Sequence, residues 1–151
     1  MNKEEVISPD IYTHEYYLTD NEGCKEYHLG LDEHMHDKFE RCLRLAQIKE
    51  GEYVLDVGCG RGELVYYAVK QGAAKALGVD YSSAAIDIAQ ETIKRLPTDL
   101  QNKADAVVCH SEDYEYPDTY DVIFFVEIAE HFVQHFLIQR LDEAHVVVGR
   151  V

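Results

Sequence analysis

The alternation of apolar and polar positions predicts a strand, a helix and a second strand in the middle of the chain. Residues 53–57 are β-compatible and mostly apolar, which is typical of a strand buried on both faces of a parallel sheet. Four apolar residues then recur at helical spacing, namely Leu64, Val65, Ala68 and Val69. They predict a helix over residues 63–71, with Gly72 just past its end. A second strand over residues 74–79 leads to Asp80, so the pattern indicates a βαβ unit.

Further helices and strands are predicted on both sides of this unit. An apolar stripe of Met35, Phe39, Cys42, Leu43 and Ala46 predicts a helix over residues 32–48. Ser82 or Ser83 can cap a second helix, which Pro97 ends. The core face of that helix is predicted to be Ala85, Ile86, Ala89, Ile93 and Leu96. Strands over 104–109 and 120–126, a helix over 133–144 and a strand at 146–148 complete an α/β pattern.

The turn between the first strand and its helix is rich in glycine. Gly58, Gly60 and Gly62 alternate with Cys59 and Arg61. Glycines at these positions let the backbone turn sharply and approach a ligand where a Cβ would collide. Ligands of open α/β sheets bind at the carboxyl ends of the strands. The pattern therefore predicts a nucleoside site at this turn.

The glycine spacing and the charge beside it disfavour NAD as the nucleoside. A dinucleotide fingerprint reads G-x-G-x-x-G, but the sixth position counted from Gly58 is Glu63. A carboxylate in the first turn of the helix would also repel a pyrophosphate, which seeks the positive end of the helix dipole.

The run from Val54 to Leu64, which reads VLDVGCGRGEL, closely resembles motif I of the class I S-adenosylmethionine-dependent methyltransferases. The resemblance implies a three-layer α/β/α Rossmann-like sandwich with a mostly parallel sheet. The family's sheet usually has seven strands in the order 3-2-1-4-5-7-6, and this sequence has material for about five, in the order 3-2-1-4-5. The implied cofactor is S-adenosylmethionine, with S-adenosylhomocysteine as product. Its ammonium and sulfonium groups suit an acidic loop.

The resemblance also implies where the cofactor binds. Asp80 would accept hydrogen bonds from both ribose hydroxyls. His110, Ser111 and Glu112 would hold the adenine; His110 stands where an Asp is usual, but a neutral imidazole can also accept one hydrogen bond. Residues 127–131, Glu-Ile-Ala-Glu-His, resemble the family's post-strand motif E-x-x-E-H. The implied cofactor-binding set is Asp56, Gly58, Cys59, Gly60, Asp80, Tyr81, His110, Ser111, Glu112 and Glu127.

The activity implied is transfer of a methyl group from the sulfonium to an O, N or C nucleophile, with a small molecule as the expected acceptor. Proximity and orientation supply most of the rate of such a transfer. Where the acceptor must lose a proton, Glu127 and His131 are the candidate catalytic residues.

Two other functions stay open. A non-catalytic S-adenosylmethionine-binding module would share the same cofactor residues. A metal-assisted small-RNA 3′-end methyltransferase is the other, because Glu127, Glu130 and His131 match three positions of that group's metal site. The pattern also occurs in methyltransferases without metal, so we expect no metal.

The composition and net charge of the chain restrict the classes of partner and the compartment that are expected for it. The 151 residues, 46% of them hydrophobic, make one domain's length. A net charge of −15 gives no counterion-release energy on a phosphate backbone, so no nucleic-acid partner is expected. Four cysteines without a C-x-x-C pair indicate a reducing cytosol. No signal peptide or membrane span is recognisable, so we expect a cytoplasmic protein without a membrane partner.

The domain prediction divides the chain at residue 30. Residues 1–30 are rich in tyrosine and are expected to form an arm that packs on the fold or lids the cofactor through its rings. Residues 31–151 form the methyltransferase domain, expected to be truncated at the carboxyl end. A fifth strand with an open edge invites pairing with another chain, so a homodimer is expected.

Overall fold

The computed structural model describes residue 13 and residues 37–109, 119–126 and 145–149. These form five strands, three α-helices and one 3-10 turn. The strands are β1 (Tyr53–Val57), β2 (Lys75–Asp80), β3 (Ala104–Val108), β4 (Val122–Val126) and β5 (His145–Gly149). The helices are α1 (Asp37–Ala46), α2 (Glu63–Lys70) and α3 (Ser83–Ile93), and the 3-10 turn is Gln101–Lys103.

The five strands form one sheet in the order β3-β2-β1-β4-β5, and all four pairings are parallel. The predicted fold class and strand order are therefore confirmed. In the central strand β1, Asp56 lies opposite Gly78 on one side and Phe124 on the other. The chain passes from β1 to β2 on one side and later to β4 on the other, so the carboxyl end of β1 is the point where ligands of such sheets bind.

Both faces of the sheet are buried. On one face, Val54 and Phe124 pack in a cluster with apolar side chains of the three described helices. On the other face, Leu55, Val57 and Phe125 belong to a second buried cluster. Alternate residues of a strand point to opposite faces, so Asp56 shares the helix-covered face with Val54. Burial of both faces is what a three-layer fold requires.

Several predicted boundaries were wrong by one or two residues. The first helix ends at Ala46 rather than at residue 48, because Gln47 adopts a left-handed φ of 48°. The fourth strand begins at Val122 rather than at residue 120. Asp121, which directly precedes β4, makes two hydrogen bonds to the first residue of β1. Tyr53 N donates to Asp121 Oδ2 at 2.8 Å, and Asp121 N donates to the Tyr53 carbonyl at 2.9 Å.

The helix α3 begins as its sequence indicates. Ser82 is the cap, since Ala85 N donates to its Oγ at 3.2 Å. All five predicted core residues of this helix and its following turn are buried. The α-helix ends at Ile93, before Pro97. The predicted helix at 133–144 lies outside the described residues, as do Met35 and all of the predicted arm except Thr13.

Candidate cofactor site

The glycine turn has the backbone conformation that its composition predicts. Gly58, Gly60 and Gly62 have φ values of 71°, 51° and 77°, a region that L side chains rarely adopt. Gly58 N and Cys59 N both donate to the carbonyl of Val79, at 2.8 and 3.0 Å. The turn is therefore held against the carboxyl end of β2.

Two glycines also permit close packing around the turn. A Cβ on Gly62 would lie 2.9 Å from the Cβ of Ala89 in α3. A Cβ on Gly78 in β2 would lie 2.7 Å from the Cys59 Sγ. Real Cβ atoms do not make contacts this short, so the turn sits where it does because both positions lack a side chain.

Asp80 joins this turn to the loop that follows β2. Its Oδ2 accepts from Gly60 N at 3.0 Å, and its Oδ1 accepts from Ser82 N at 2.9 Å. Burial raises the pKa of this carboxyl, while the backbone donors of Ser82, Gly60 and Tyr81 act against that rise. Each carboxylate oxygen keeps a further lone pair. Asp80 can therefore hold the two loops together and still accept a bond from a ligand.

Asp56 is a second buried carboxylate beside the turn. Its residue is only 4% exposed. Burial, followed by the charges of Asp80 and Glu63, raises its pKa well above the usual value. Burial of a charged carboxylate is costly unless opposite charge or hydrogen-bond donors compensate it. A cationic group placed beside Asp56 would relieve that cost.

Glu63 is a third buried carboxylate beside the turn, and it was not among the cofactor-binding residues predicted from the sequence. It lies in the first turn of α2, it is 8% exposed, and its Oε1 lies 3.4 Å from the Nε of Arg61. With Asp56 and Asp80 it makes the neighbourhood of the turn acidic. The sequence does carry a signal for Glu63, since an acidic residue directly follows the last glycine of the turn.

The cysteines near the site are free thiols. Burial and then the charges of Asp56, Asp80 and Glu63 raise the pKa of Cys59, so its thiol stays protonated and acts as a small packing group. Cys109 follows β3, and burial and then Asp80 raise its pKa to about 11. Its backbone N donates to the carbonyl of Asp80 at 2.9 Å, which continues the alignment of β3 with β2.

The structure brings six of the sequence-predicted cofactor residues to the carboxyl ends of β1 and β2. These are Asp56, Gly58, Cys59, Gly60, Asp80 and Tyr81. The other predicted site residues, His110, Ser111, Glu112, Glu127 and His131, lie outside the described residues. Within the described ranges, no three His, Cys, Asp or Glu side chains are arranged to hold a metal ion.

Comparison with known proteins identifies the family. Residues 12–146 match the family described as mycolic acid cyclopropane synthetase. The chain belongs to this family, and its fold is that of the class I S-adenosylmethionine-dependent methyltransferases. The resemblance found in the sequence is therefore confirmed. Among the described helices, none is long and apolar enough to cross a bilayer.

Individual relatives share only part of their length with the chain. It is 32% identical over 136 residues to (S)-tetrahydroprotoberberine N-methyltransferase of Eschscholzia californica, covering 87% of this chain and 38% of that protein. It is 32% identical over 114 residues to sphingolipid C9-methyltransferase of Komagataella phaffii, covering 68% of this chain and 22% of the relative. The chain thus spans well under half the length of either relative.

The fold agrees with that of a solved methyltransferase. A SAM-dependent methyltransferase from Thiobacillus denitrificans, crystallised with S-adenosyl-L-homocysteine, matches 95% of this chain and 56% of its own with a TM-score of 0.68. The identity is 17%, so this likeness concerns the fold alone.

Proposed function

We propose that the protein is an S-adenosylmethionine-dependent methyltransferase with a small-molecule acceptor. The observation that carries the proposal is the left-handed glycine turn of Gly58, Gly60 and Gly62, flanked by the buried carboxylates of Asp56 and Asp80. Such a turn admits a ligand close to the backbone, and the carboxylates suit one that carries positive charge and ribose hydroxyls. Membership of the family supports the same activity.

The residues of the turn fit the parts of this cofactor. Asp80 is proposed to accept from the ribose hydroxyls, with Tyr81 beside it. Asp56 is proposed to attract the ammonium of the methionine moiety, since it is a buried carboxylate at the carboxyl end of β1, beside the glycine turn. The backbone of Gly58, Cys59 and Gly60 would line the same moiety. The adenine is assigned, from the sequence resemblance, to His110, Ser111 and Glu112.

When bound, the cofactor supplies an electrophilic methyl group on a sulfonium. The chain then has to orient the acceptor in line with that methyl and to exclude water, which needs no covalent intermediate. For an acceptor that loses a proton, Glu127 and His131 remain the proposed bases. The alternatives, a non-catalytic binding module and a metal-assisted RNA methyltransferase, gain no specific support from the described residues.

The names of the two relatives described above support a small-molecule acceptor without defining it. One relative is named for an alkaloid nitrogen and another for a sphingolipid carbon. The acceptor atom therefore differs among proteins that share this part of the fold. We propose the class of acceptor, a small organic molecule, and not its identity.

Thermal unfolding with added ligand tests which of two cofactor classes the protein binds. S-adenosylhomocysteine should raise the melting temperature, because a ligand that binds only the folded state stabilises it by about 2.7 kcal/mol at a hundred times its Kd. NAD at the same concentration should give no shift, since Glu63 stands where its pyrophosphate would bind. A shift with NAD and none with S-adenosylhomocysteine would overturn the proposal.

A cytoplasmic location and a homodimer also belong to the proposal. The free thiols of Cys59 and Cys109 support a reducing compartment. In the described sheet, β5 pairs with β4 alone, and such an edge can pair with a second copy. Multi-angle light scattering at about 50 μM should give twice the monomer mass; a monomer at that concentration would refute the dimer.

A further inference from the structure

The strand β3 is an edge of the described sheet, and alternate peptide groups along it point away from the neighbouring strand. Within the described sheet β3 pairs with β2 alone. Just past its end, Cys109 N donates to the Asp80 carbonyl of β2 at 2.9 Å. Because the peptide groups of a strand alternate in direction, those of Ala104 and Ala106 face away from β2. An outward-facing row of this kind is a template for the addition of a further strand.

Two side chains already bind the outward-facing groups of Ala106. Gln90 Nε2, in α3, donates to the Ala106 carbonyl at 2.6 Å. Ala106 N donates to Asp105 Oδ1 at 2.8 Å, and Gln90 Nε2 also donates to that oxygen at 3.0 Å. We call Gln90, Asp105 and Ala106 the edge cluster. Its hydrogen bonds form a closed set in which the N–H and the carbonyl of Ala106 are both used.

The outward-facing donor at the start of β3 is engaged as well, although this edge is accessible to solvent. Ala104 N donates to the Gln101 carbonyl of the 3-10 turn. Farther along the strand, Asp105 is exposed and Val108 is 53% exposed. An accessible edge with an exposed β-branched residue is the kind of surface at which strands of two chains pair. The edge cluster therefore lies where such pairing would occur.

We propose that the edge cluster closes β3 against strand addition by a second copy of this chain. An added strand needs the N–H and the carbonyl of Ala106 for its own ladder of hydrogen bonds. It would first have to displace the Gln90 amide and the Asp105 carboxylate, which costs the bonds that these groups make now. Of the two edge strands of the described sheet, this leaves β5 for pairing between copies. The inference concerns association and does not depend on methyl transfer.

Light scattering of a variant that lacks both side chains tests the inference. Gln90→Ala combined with Asp105→Ala removes the bonds of the edge cluster and leaves the main-chain groups of Ala106 available. At about 100 μM its weight-average mass should be roughly twice that of wild type or more, because an open edge can pair with another copy. Each variant is compared with wild type, so the test holds whether the wild type is a monomer or a dimer. A wild-type mass for the double variant would overturn the inference.

Addition of Val108→Pro to the double variant identifies the edge that is involved. The Val108 N–H faces outward like that of Ala106, and proline, which offers no N–H to a ladder, is tolerated on edge strands. The added change should return the mass to that of wild type. Aggregation of unfolded chain would not be reversed in this way. A mass that stayed high would therefore place the association elsewhere and overturn the inference.

Two single variants separate the hydrogen bonds of the cluster from other effects. Asp105→Asn removes the charge but keeps Oδ1 as an acceptor, so it should keep the wild-type mass. Gln101→Ala removes side-chain bonds of the same kind away from the edge, those from Gln101 Nε2 to the carbonyls of Lys94 and Leu96. It should lower the stability without raising the mass. A rise equal to that of the double variant in either case would assign the effect to lost charge or lost stability, and the inference would fail.

Discussion

Gly62→Ala should lower the stability of the fold by about 2 to 5 kcal/mol. A left-handed φ of 77° costs an L residue roughly 1 to 2 kcal/mol. The new Cβ would also lie 2.9 Å from the Cβ and 3.2 Å from the Cα of Ala89, and overpacking of this kind costs about 1 to 3 kcal/mol. Ala89 is fully buried in α3 and cannot move aside alone. Urea unfolding followed by circular dichroism measures the loss.

Alanine substitutions at two other glycines separate the backbone cost of Gly62→Ala from its overpacking cost. Gly51 has a φ of 91° and open space around its Cβ position, so Gly51→Ala carries the backbone cost without the clash. Gly78 has no left-handed φ, but its Cβ would lie 2.7 Å from Cys59 Sγ and 3.0 Å from a methyl of Val65. Gly78→Ala therefore carries the clash alone. Equal losses for Gly62→Ala and Gly51→Ala would contradict the close packing of the turn against α3.

The fold was predictable from the sequence because its determinants are local. A buried apolar strand, a turn of alternating glycines and a helix capped by Ser82 each leave a signature within a few neighbouring residues. The order of the strands came from the resemblance to a family, since no local pattern specifies which strands pair. The start of β4 was misplaced for the same reason: Asp121 bonds to Tyr53, which lies 68 residues earlier.

The sequence pointed to residues that lie together at the glycine turn, but it did not predict the hydrogen bonds and packing contacts that connect them. Asp80 was predicted to bind the ribose of the cofactor. Its Oδ2 also accepts a hydrogen bond from Gly60 N, which lies 20 residues earlier in the chain, and this bond holds the glycine turn in place. The role of Gly78 was equally hidden. A glycine inside a strand has no evident purpose until the Cys59 thiol is found packed against it. Glu63 was used only to disfavour a pyrophosphate, because its burial beside Asp56 depends on how α2 sits on the sheet.

Asp80→Ala should weaken S-adenosylmethionine binding by about 2 to 3 kcal/mol, which is roughly a 30- to 150-fold rise in Kd. The carboxylate is proposed to accept two ribose hydroxyls, and each charge-assisted hydrogen bond contributes about 1.5 kcal/mol or more. The same carboxylate holds Gly60 N and Ser82 N, so its removal also leaves the glycine turn less ordered before the ligand arrives. Isothermal titration calorimetry measures the change directly.

Ser82→Ala is a control for the stability of α3, which begins next to Asp80. It removes the hydroxyl that caps α3 at Ala85 N, which should cost about 1 kcal/mol of stability, but it leaves the backbone bond from Ser82 N to Asp80 Oδ1 in place. We expect its Kd for S-adenosylmethionine to stay within about threefold of wild type. An equal loss of affinity in both variants would assign the effect to a loosened loop. Unchanged affinity in Asp80→Ala would remove Asp80 from the site, because no rearrangement of the turn could replace two buried acceptors at the end of β2 without cost.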